Sequence, residues 1–182
     1  MVRKVKICLW VMTFLFALQA YHGARAEDTS EYYIKAAYLY NFAKFMTWPD
    51  DTFEGPDSPF ILCIVGNSPF GEAIKTLDNK MIGKRKYVVQ SCEDLGQVQK
   101  CHILYVSPSE QGHIQTILNK AAGISCLTVS DLEDFTQNGG MVRFFLKGKK
   151  IQFEINIDNV KRSKLNVSSR LLKIATIVKN NP

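Results

Sequence analysis

The 182-residue sequence lacks the short motifs that commonly mark enzymes and metal sites. It has no C-x-x-C pair and only three histidines, which argues against a zinc site and against a dithiol oxidoreductase. It has no G-x-S-x-G segment, so the nucleophile turn of a serine hydrolase is absent. Segment 66–71 resembles a phosphate loop, but Glu72 and Ala73 follow it where that loop needs Lys and then Ser or Thr. These absences favour a binding protein without catalytic residues, metal or cofactor.

Long apolar runs are also missing, apart from one near the start of the chain. Basic residues precede the apolar run Ile7–Leu18, and the small-residue ending Ala24-Arg25-Ala26 follows it. This layout is typical of a secretory signal peptide, and the run is too short to span a bilayer. We predict a signal peptide at 1–26, cleaved near Ala26, and one exported domain at 27–182. A retained membrane anchor is the alternative.

Acidic residues are absent after Asp158, whereas six cations follow it. Such a basic end is either a solvated face or a surface for anionic lipid or an acidic partner. Removal of the predicted signal peptide leaves 19 basic and 17 acidic residues, so the net charge falls from +6 to +2. This balance lacks the concentrated basic face that nucleic-acid binding requires, and we expect no nucleic-acid partner.

The exported chain would keep four cysteines, at positions 63, 92, 101 and 126. In an oxidising compartment an even number of cysteines indicates disulfides, and four thiols allow three complete pairings. The residues alone do not choose among these pairings.

Predicted strands alternate with predicted helices through the first two thirds of the domain. The strands are Pro59–Val65, Lys86–Ser91, Ile103–Val106 and Ser125–Val129. The helices are Ser68–Asp78, Glu110–Ala122 and a short one that the capping box Ser130–Glu133 begins. This alternation predicts parallel β-α-β units and a single α/β domain, with a mostly parallel sheet flanked by helices.

The last third changes to an antiparallel pattern. Met141–Leu146 and Ile151–Asn156 flank a short basic turn and predict a C-terminal hairpin. In the second arm, the apolar residues alternate with Gln152, Glu154 and Asn156, which therefore share the other face. Asp158 is a candidate cap for a short helix. Ser168 is a candidate cap for a final helix that would continue to Val178.

The segment 31–49 carries an unusual number of aromatic residues and predicts a helix that ends at Trp48-Pro49. One stripe at helical spacing comprises Ile34, Ala37, Tyr38, Asn41, Phe42 and Phe45. Much of the opposite side is apolar too. Such a helix is either wholly in the core or shared between the core and a protein interface.

Several short segments, taken in order, resemble the YfiR family of periplasmic proteins across essentially the whole exported chain. They are Tyr33–Pro49, Cys63–Gly66, Pro69–Gly71, Cys101–Leu104, Leu127–Ser130, Gly139–Val142, Phe153–Asn156 and Leu165–Ala175.

The resemblance implies a regulatory function. YfiR-like proteins are periplasmic repressors that bind the periplasmic portion of an inner-membrane GGDEF diguanylate cyclase and hold its cytoplasmic domain inactive. Release, prompted by envelope or redox stress or by an outer-membrane lipoprotein, raises cyclic di-GMP and promotes biofilm. The resemblance also implies a homodimer and no enzymatic activity. A periplasmic module that binds a small solute is the alternative function.

When the family's residues are matched to this sequence position by position, the resemblance implies a disulfide between Cys63 and Cys101 on neighbouring strands. A second bridge found in some members has no counterpart, since Cys92 and Cys126 lie elsewhere. The surface that faces the cyclase falls on the hairpin and the C-terminal segment, around Gln152, Glu154 and Asn156. Internal pairing of Glu154 with Arg143 across the hairpin is the competing interpretation.

Overall fold

The computed structural model describes residues 30–93 and 95–180. The predicted signal peptide and its cleavage position lie outside these residues, so they stay predictions.

The fold is built on an eight-stranded mixed sheet with the strand order β10-β8-β7-β6-β5-β2-β4-β3. Its strands are β2 (Phe60–Val65), β3 (Met81–Ile82), β4 (Arg85–Ser91), β5 (Ile103–Val106), β6 (Leu127–Ser130), β7 (Val142–Lys147), β8 (Lys150–Asn156) and β10 (Thr176–Val178). A separate small sheet pairs β1 (Met46–Thr47) with β9 (Asn166–Val167). The five strands from β7 to β4 run parallel, and β7 and β8 form the antiparallel hairpin. The predicted single α/β domain with its C-terminal hairpin is confirmed.

Helices cover both faces of this sheet. They are α1 (30–45), α2 (Glu72–Lys75), α3 (Ile114–Ala121), α4 (Ile157–Arg162) and α5 (Ser169–Leu172), with 3₁₀ turns at Asp50–Thr52, Leu95–Lys100 and Pro108–His113. Alternate residues of β2 and β5 point to opposite faces. Ile64 and Tyr105 belong to the core under α1, whereas Val65 and Leu104 belong to the core under α3. The central strands are therefore buried on both sides, as their continuous apolar runs predict.

The opening helix forms as predicted, and its buried face overlaps the apolar stripe in part. Leu39 and Phe42 are fully buried, and the Phe42 ring lies 5.1 Å from the ring of Phe153 on the hairpin. Ile34, expected in the buried stripe, is 44% exposed. The buried face also includes Lys35, which forms ion pairs with Glu31 and Asp131. Ion pairing lets a cation occupy the core side, so the apolar positions alone do not define which face is buried.

Three predicted helices are wrong in extent or absent. The helix predicted at Ser68–Asp78 is only Glu72–Lys75, and turns replace the one predicted after Ser130. There the Ser130 hydroxyl accepts from the Leu132 amide as a cap would, but Asp134 has a positive φ of 55° that interrupts a helix. Ser168 caps α5 as predicted, with its hydroxyl 3.3 Å from the Leu171 amide. After α5 the chain does not continue as a helix. It forms strand β10, which pairs in parallel with β8.

Candidate functional site

Glu154, on β8, lies directly opposite Arg143 on β7. The Arg143 side chain donates two hydrogen bonds to the Glu154 carboxylate, of 2.9 and 3.1 Å, and the Thr136 hydroxyl donates a third of 2.5 Å. Burial alone would raise the pKa of Glu154, but the hydrogen bonds from Arg143 and Thr136 outweigh it and hold the pKa below its ordinary value. Glu154 is therefore an ionised carboxylate, 7% exposed, whose partners are internal.

Asn156 is buried and joins three parts of the chain. Its side-chain oxygen accepts from the amides of Asp158 and Asn159, at 3.2 and 3.1 Å, so Asn156 caps α4 in place of the predicted Asp158. Its side-chain nitrogen donates to the Thr136 carbonyl and to Asn180. A side chain engaged in this way stabilises the junction between hairpin, turn and C-terminal segment.

The expectation that Glu154 and Asn156 are accessible on the outer face of the hairpin is thus wrong. The turn that contains Thr136 lies over this face: the Thr136 hydroxyl donates to Glu154, and the Thr136 carbonyl accepts from Asn156. Internal pairing of Glu154 with Arg143 is the interpretation that the structure confirms. Gln152 is only half-buried, and it is the one of the three predicted contact residues with accessible surface. Direct contact of these three residues with a partner stays a prediction.

Accessible apolar side chains lie at the edge strand β10 and, separately, near the turn of the hairpin. Ile174 and Ile177, before and within β10, and Leu146, at the end of β7, are all more than two-fifths exposed. The outer edge of β10 has no neighbouring strand among the described residues. Large apolar side chains beside an open strand edge are typical of a surface that another chain covers. The recurrence of Leu171, Ile174, Ala175 and Val178 at helical spacing predicted a helix here, so this strand edge was missed.

A disulfide joins Cys63 and Cys101, as the resemblance implies. Cys63 lies in β2, and Cys101 precedes the neighbouring strand β5, with 5.8 Å between their Cα atoms. Both residues are buried in the core under α3. Cys92 and Cys126 are free thiols buried in the same core.

His102, next in sequence to Cys101, lines a cavity of about 230 Å³. It is 3% exposed, and its ring stacks on the rings of Phe53 and Phe60. Its Nδ1 accepts from the Ile61 amide at 3.0 Å, which leaves the proton of neutral imidazole on Nε2, and Nε2 has no partner among the described residues. Burial and then the Arg85 charge lower the pKa of His102 to about 4, so the ring is neutral. His102 is thus a neutral residue in the cavity wall whose buried Nε2–H has no partner within the described residues.

The mixed sheet, the buried disulfide and the accessible β10 edge define a small disulfide-bonded α/β protein that is suited to binding. No helix within residues 30–93 and 95–180 is long and apolar enough to cross a membrane. A YfiR/HmsC-like family model matches residues 32–176, and the chain belongs to this family. Its members are periplasmic, non-catalytic regulators of diguanylate cyclases.

Proposed function

We propose that this protein binds the periplasmic portion of an inner-membrane GGDEF diguanylate cyclase and holds its cytoplasmic domain inactive. Cyclic di-GMP and biofilm formation then stay low. The observation that carries the proposal is the accessible apolar edge at β10 in a chain that belongs to a family of cyclase regulators. The mechanism is differential affinity: a repressor that binds the inactive cyclase more tightly shifts the population towards it, with no catalysis of its own.

The β10 edge offers both main-chain and side-chain interactions to the cyclase. An extended segment of the partner can add to the open edge, since added strands gain main-chain hydrogen bonds. Ile174 and Ile177 provide apolar contacts, and the nearby cations Lys173 and Lys179 favour an acidic partner surface. Gln152, on β8 before the stretch that pairs with β10, is a further proposed contact on the hairpin. Release by an outer-membrane lipoprotein would require that protein to compete for the same surface or to favour the unbound state.

Substitutions of two residues with similar exposure test this surface. Ile177 on β10 is 45% exposed, and Met81 on β3, at the opposite end of the sheet, is 47% exposed. We expect Ile177→Lys to weaken binding to the purified periplasmic portion of the cognate cyclase by roughly 10- to 100-fold, as loss of an interface anchor does. Met81→Lys is the matched control and should bind like the unchanged protein. Equal binding by both folded variants would place the interface elsewhere.

We also propose that the accessible side of α1 contributes to a homodimer. Tyr33 and Ile34 lie near the start of this helix and are both exposed. A second copy of the chain would cover them, in keeping with a helix that is apolar on most sides. Sedimentation of the unchanged protein and of Ile34→Lys tests this: the substitution should shift the dimer towards monomer. Unchanged sedimentation of the variant would exclude this face.

Small-ligand binding is a second candidate function, favoured by the cavity at His102. The unpaired Nε2 donor and the Thr52 hydroxyl, which likewise has no partner in the described part of the chain, both line or adjoin it. Buried polar groups of this kind gain from a bound polar ligand or water. Thermal melting across a panel of carboxylates, amino acids and sugars would show a rise for a true ligand, and His102→Phe should abolish that rise.

A further inference from the structure

Three sulfur atoms lie together on the α3 side of the sheet. The Sγ atoms of Cys63, Cys92 and Cys101 are all within 4.8 Å of one another, and all three residues are buried. Cys63 and Cys101 form the disulfide, and the free Cys92 Sγ lies 4.0 Å from Cys101 Sγ. A free thiol therefore lies in near contact with one specific sulfur of the disulfide.

The main chain holds the free thiol at this place. The Cys92 amide donates to the Ile64 carbonyl of β2 at 2.8 Å, and the preceding strand β4 pairs with β2 in register from Phe60 to Ile64. On the other side, the Cys101 amide donates to the Val98 carbonyl at 3.1 Å, and the Cys101 Sγ lies 3.4 Å from the Gln97 carbonyl oxygen. The proximity of the sulfurs thus follows from strand pairing and is not a chance approach of surface loops.

One amide group lies against two of these sulfurs. Gln90 Nε2 is 3.3 Å from Cys63 Sγ and 3.9 Å from Cys92 Sγ. A donor placed there stabilises negative charge on either atom. Thiolate on Cys92 is the form that attacks a disulfide, and thiolate on Cys63 is the form that would leave. The same amide therefore serves both ends of an exchange in which Cys101 is the central sulfur.

We propose that Cys92 is an internal acceptor for the disulfide, so that the protein has two oxidised forms. The Cys92 thiolate attacks Cys101 Sγ, the Cys63–Cys101 bond breaks, and its electron pair leaves on Cys63, which takes up the proton that Cys92 released. The number of disulfides is unchanged, so the step needs no oxidant or reductant. Burial raises the pKa of the Cys92 thiol, which keeps the attacking thiolate scarce and the exchange slow.

The exchange would change which parts of the fold are cross-linked. The Cys63–Cys101 bond joins residues 38 apart and ties β2 to the start of β5. A Cys92–Cys101 bond would join residues nine apart and confine the cross-link to the segment between β4 and β5. It would leave Cys63, in the middle of the sheet, as a free thiol. This inference does not depend on the proposed repression of a cyclase.

Peptide mapping distinguishes the two forms because the four cysteines fall on four tryptic peptides, 45–75, 87–100, 101–120 and 121–143. The exported protein, purified in its oxidised state, is incubated at mildly alkaline pH without oxidant or reductant. Samples are quenched in acid and denatured in excess maleimide. We expect maleimide on Cys63 and a linked pair of peptides 87–100 and 101–120 to appear together, while the total of free thiols stays constant.

Matched variants assign the nucleophile. Cys92→Ala and Cys92→Ser should both lose the labelling of Cys63, whereas Cys126→Ala, which removes the other buried free thiol, should retain it. Cys63→Ser should form the Cys92–Cys101 bond directly during export, which tests the geometry without requiring exchange. Three results would each overturn the proposal. Cys63 could stay unlabelled throughout the incubation, its labelling could persist in both Cys92 variants, or Cys92 and Cys101 could both be free thiols in Cys63→Ser.

Discussion

Replacing Glu154 by Gln isolates the charge of the buried cluster on the hairpin. The substitution keeps the side-chain shape but removes the negative charge that Arg143 and Thr136 contact. Removing one partner of a buried ion pair costs about 3–5 kcal/mol. The Arg143 side chain is 21% exposed and can recover some hydration, which reduces the expected loss to about 2–3 kcal/mol.

Urea unfolding followed by far-ultraviolet circular dichroism measures this loss. For a slope of about 2 kcal/mol per molar urea, the midpoint should fall by roughly 1–1.5 M. Glu54→Gln is the matched control, since the Glu54 carboxylate is 81% exposed and pairs with Lys100 at 3.7 Å. It should change stability by less than about 1 kcal/mol. The double variant Arg143→Met/Glu154→Leu should be more stable than the sum of its single changes predicts, because no charge is left unpaired.

The pH dependence of this loss has a definite sign. The folded pKa of Glu154 lies below its ordinary value of 4.5, so the unfolded chain takes up this proton first. The stability that Glu154 contributes is present above about pH 4.5 and is lost as the pH falls through the folded pKa. Glu154→Gln should therefore differ most from the unchanged protein near neutral pH. A folded Glu154→Gln protein of full stability that fails to bind the cyclase would refute this reasoning and support a direct partner contact.

Three further predictions concern the core. Cys101→Ser, which removes the sulfur shared by both possible bonds, should cost about 4 kcal/mol of unfolding free energy, the chain-entropy value for a separation of 38 residues, measured by urea unfolding against the oxidised protein. The pKa of His102 is lowered from 6.5 to about 4, so the unfolded chain binds this proton first as the pH falls. The free energy of unfolding should therefore fall by up to about 3 kcal/mol between pH 6.5 and pH 4. His102→Gln should remove this part of the pH dependence. Lys35→Met should lower stability by about 3 kcal/mol by leaving Asp131 without its cation, and Lys35→Met/Asp131→Leu should recover most of that loss in thermal melts.

Local patterns predicted the strands well because burial on both faces leaves a direct mark on the residues. Phe60–Val65 and Ile103–Val106 are continuous apolar runs, and each is a central strand. The hairpin alternation likewise placed Phe153 in the core. Its other face was assigned to a partner or to solvent, but a turn from a distant part of the chain covers it. The alternation along one strand does not indicate whether a distant turn packs over its polar face.

The missed features of the site have the same origin. Ile174 and Val178 recur at helical spacing, yet Thr176–Val178 pairs with β8 as a strand, since pairing gives hydrogen-bond partners to main-chain groups in the buried stretch Glu154–Asn156. The proximity of Cys92 to the disulfide depends on the pairing of β4 with β2, which is a tertiary contact. The Cys63–Cys101 pairing came from the family resemblance, because the residues alone allowed three pairings.

The most direct test of the central claim is the cellular level of cyclic di-GMP, measured by mass spectrometry in four matched strains: unchanged, lacking this protein, lacking the cognate cyclase and lacking both. The account predicts a rise when the protein alone is deleted and no rise when the cyclase is deleted as well. An unchanged level after deletion of the protein would contradict repression. So would a rise that persists in a strain without any membrane diguanylate cyclase that has a periplasmic portion.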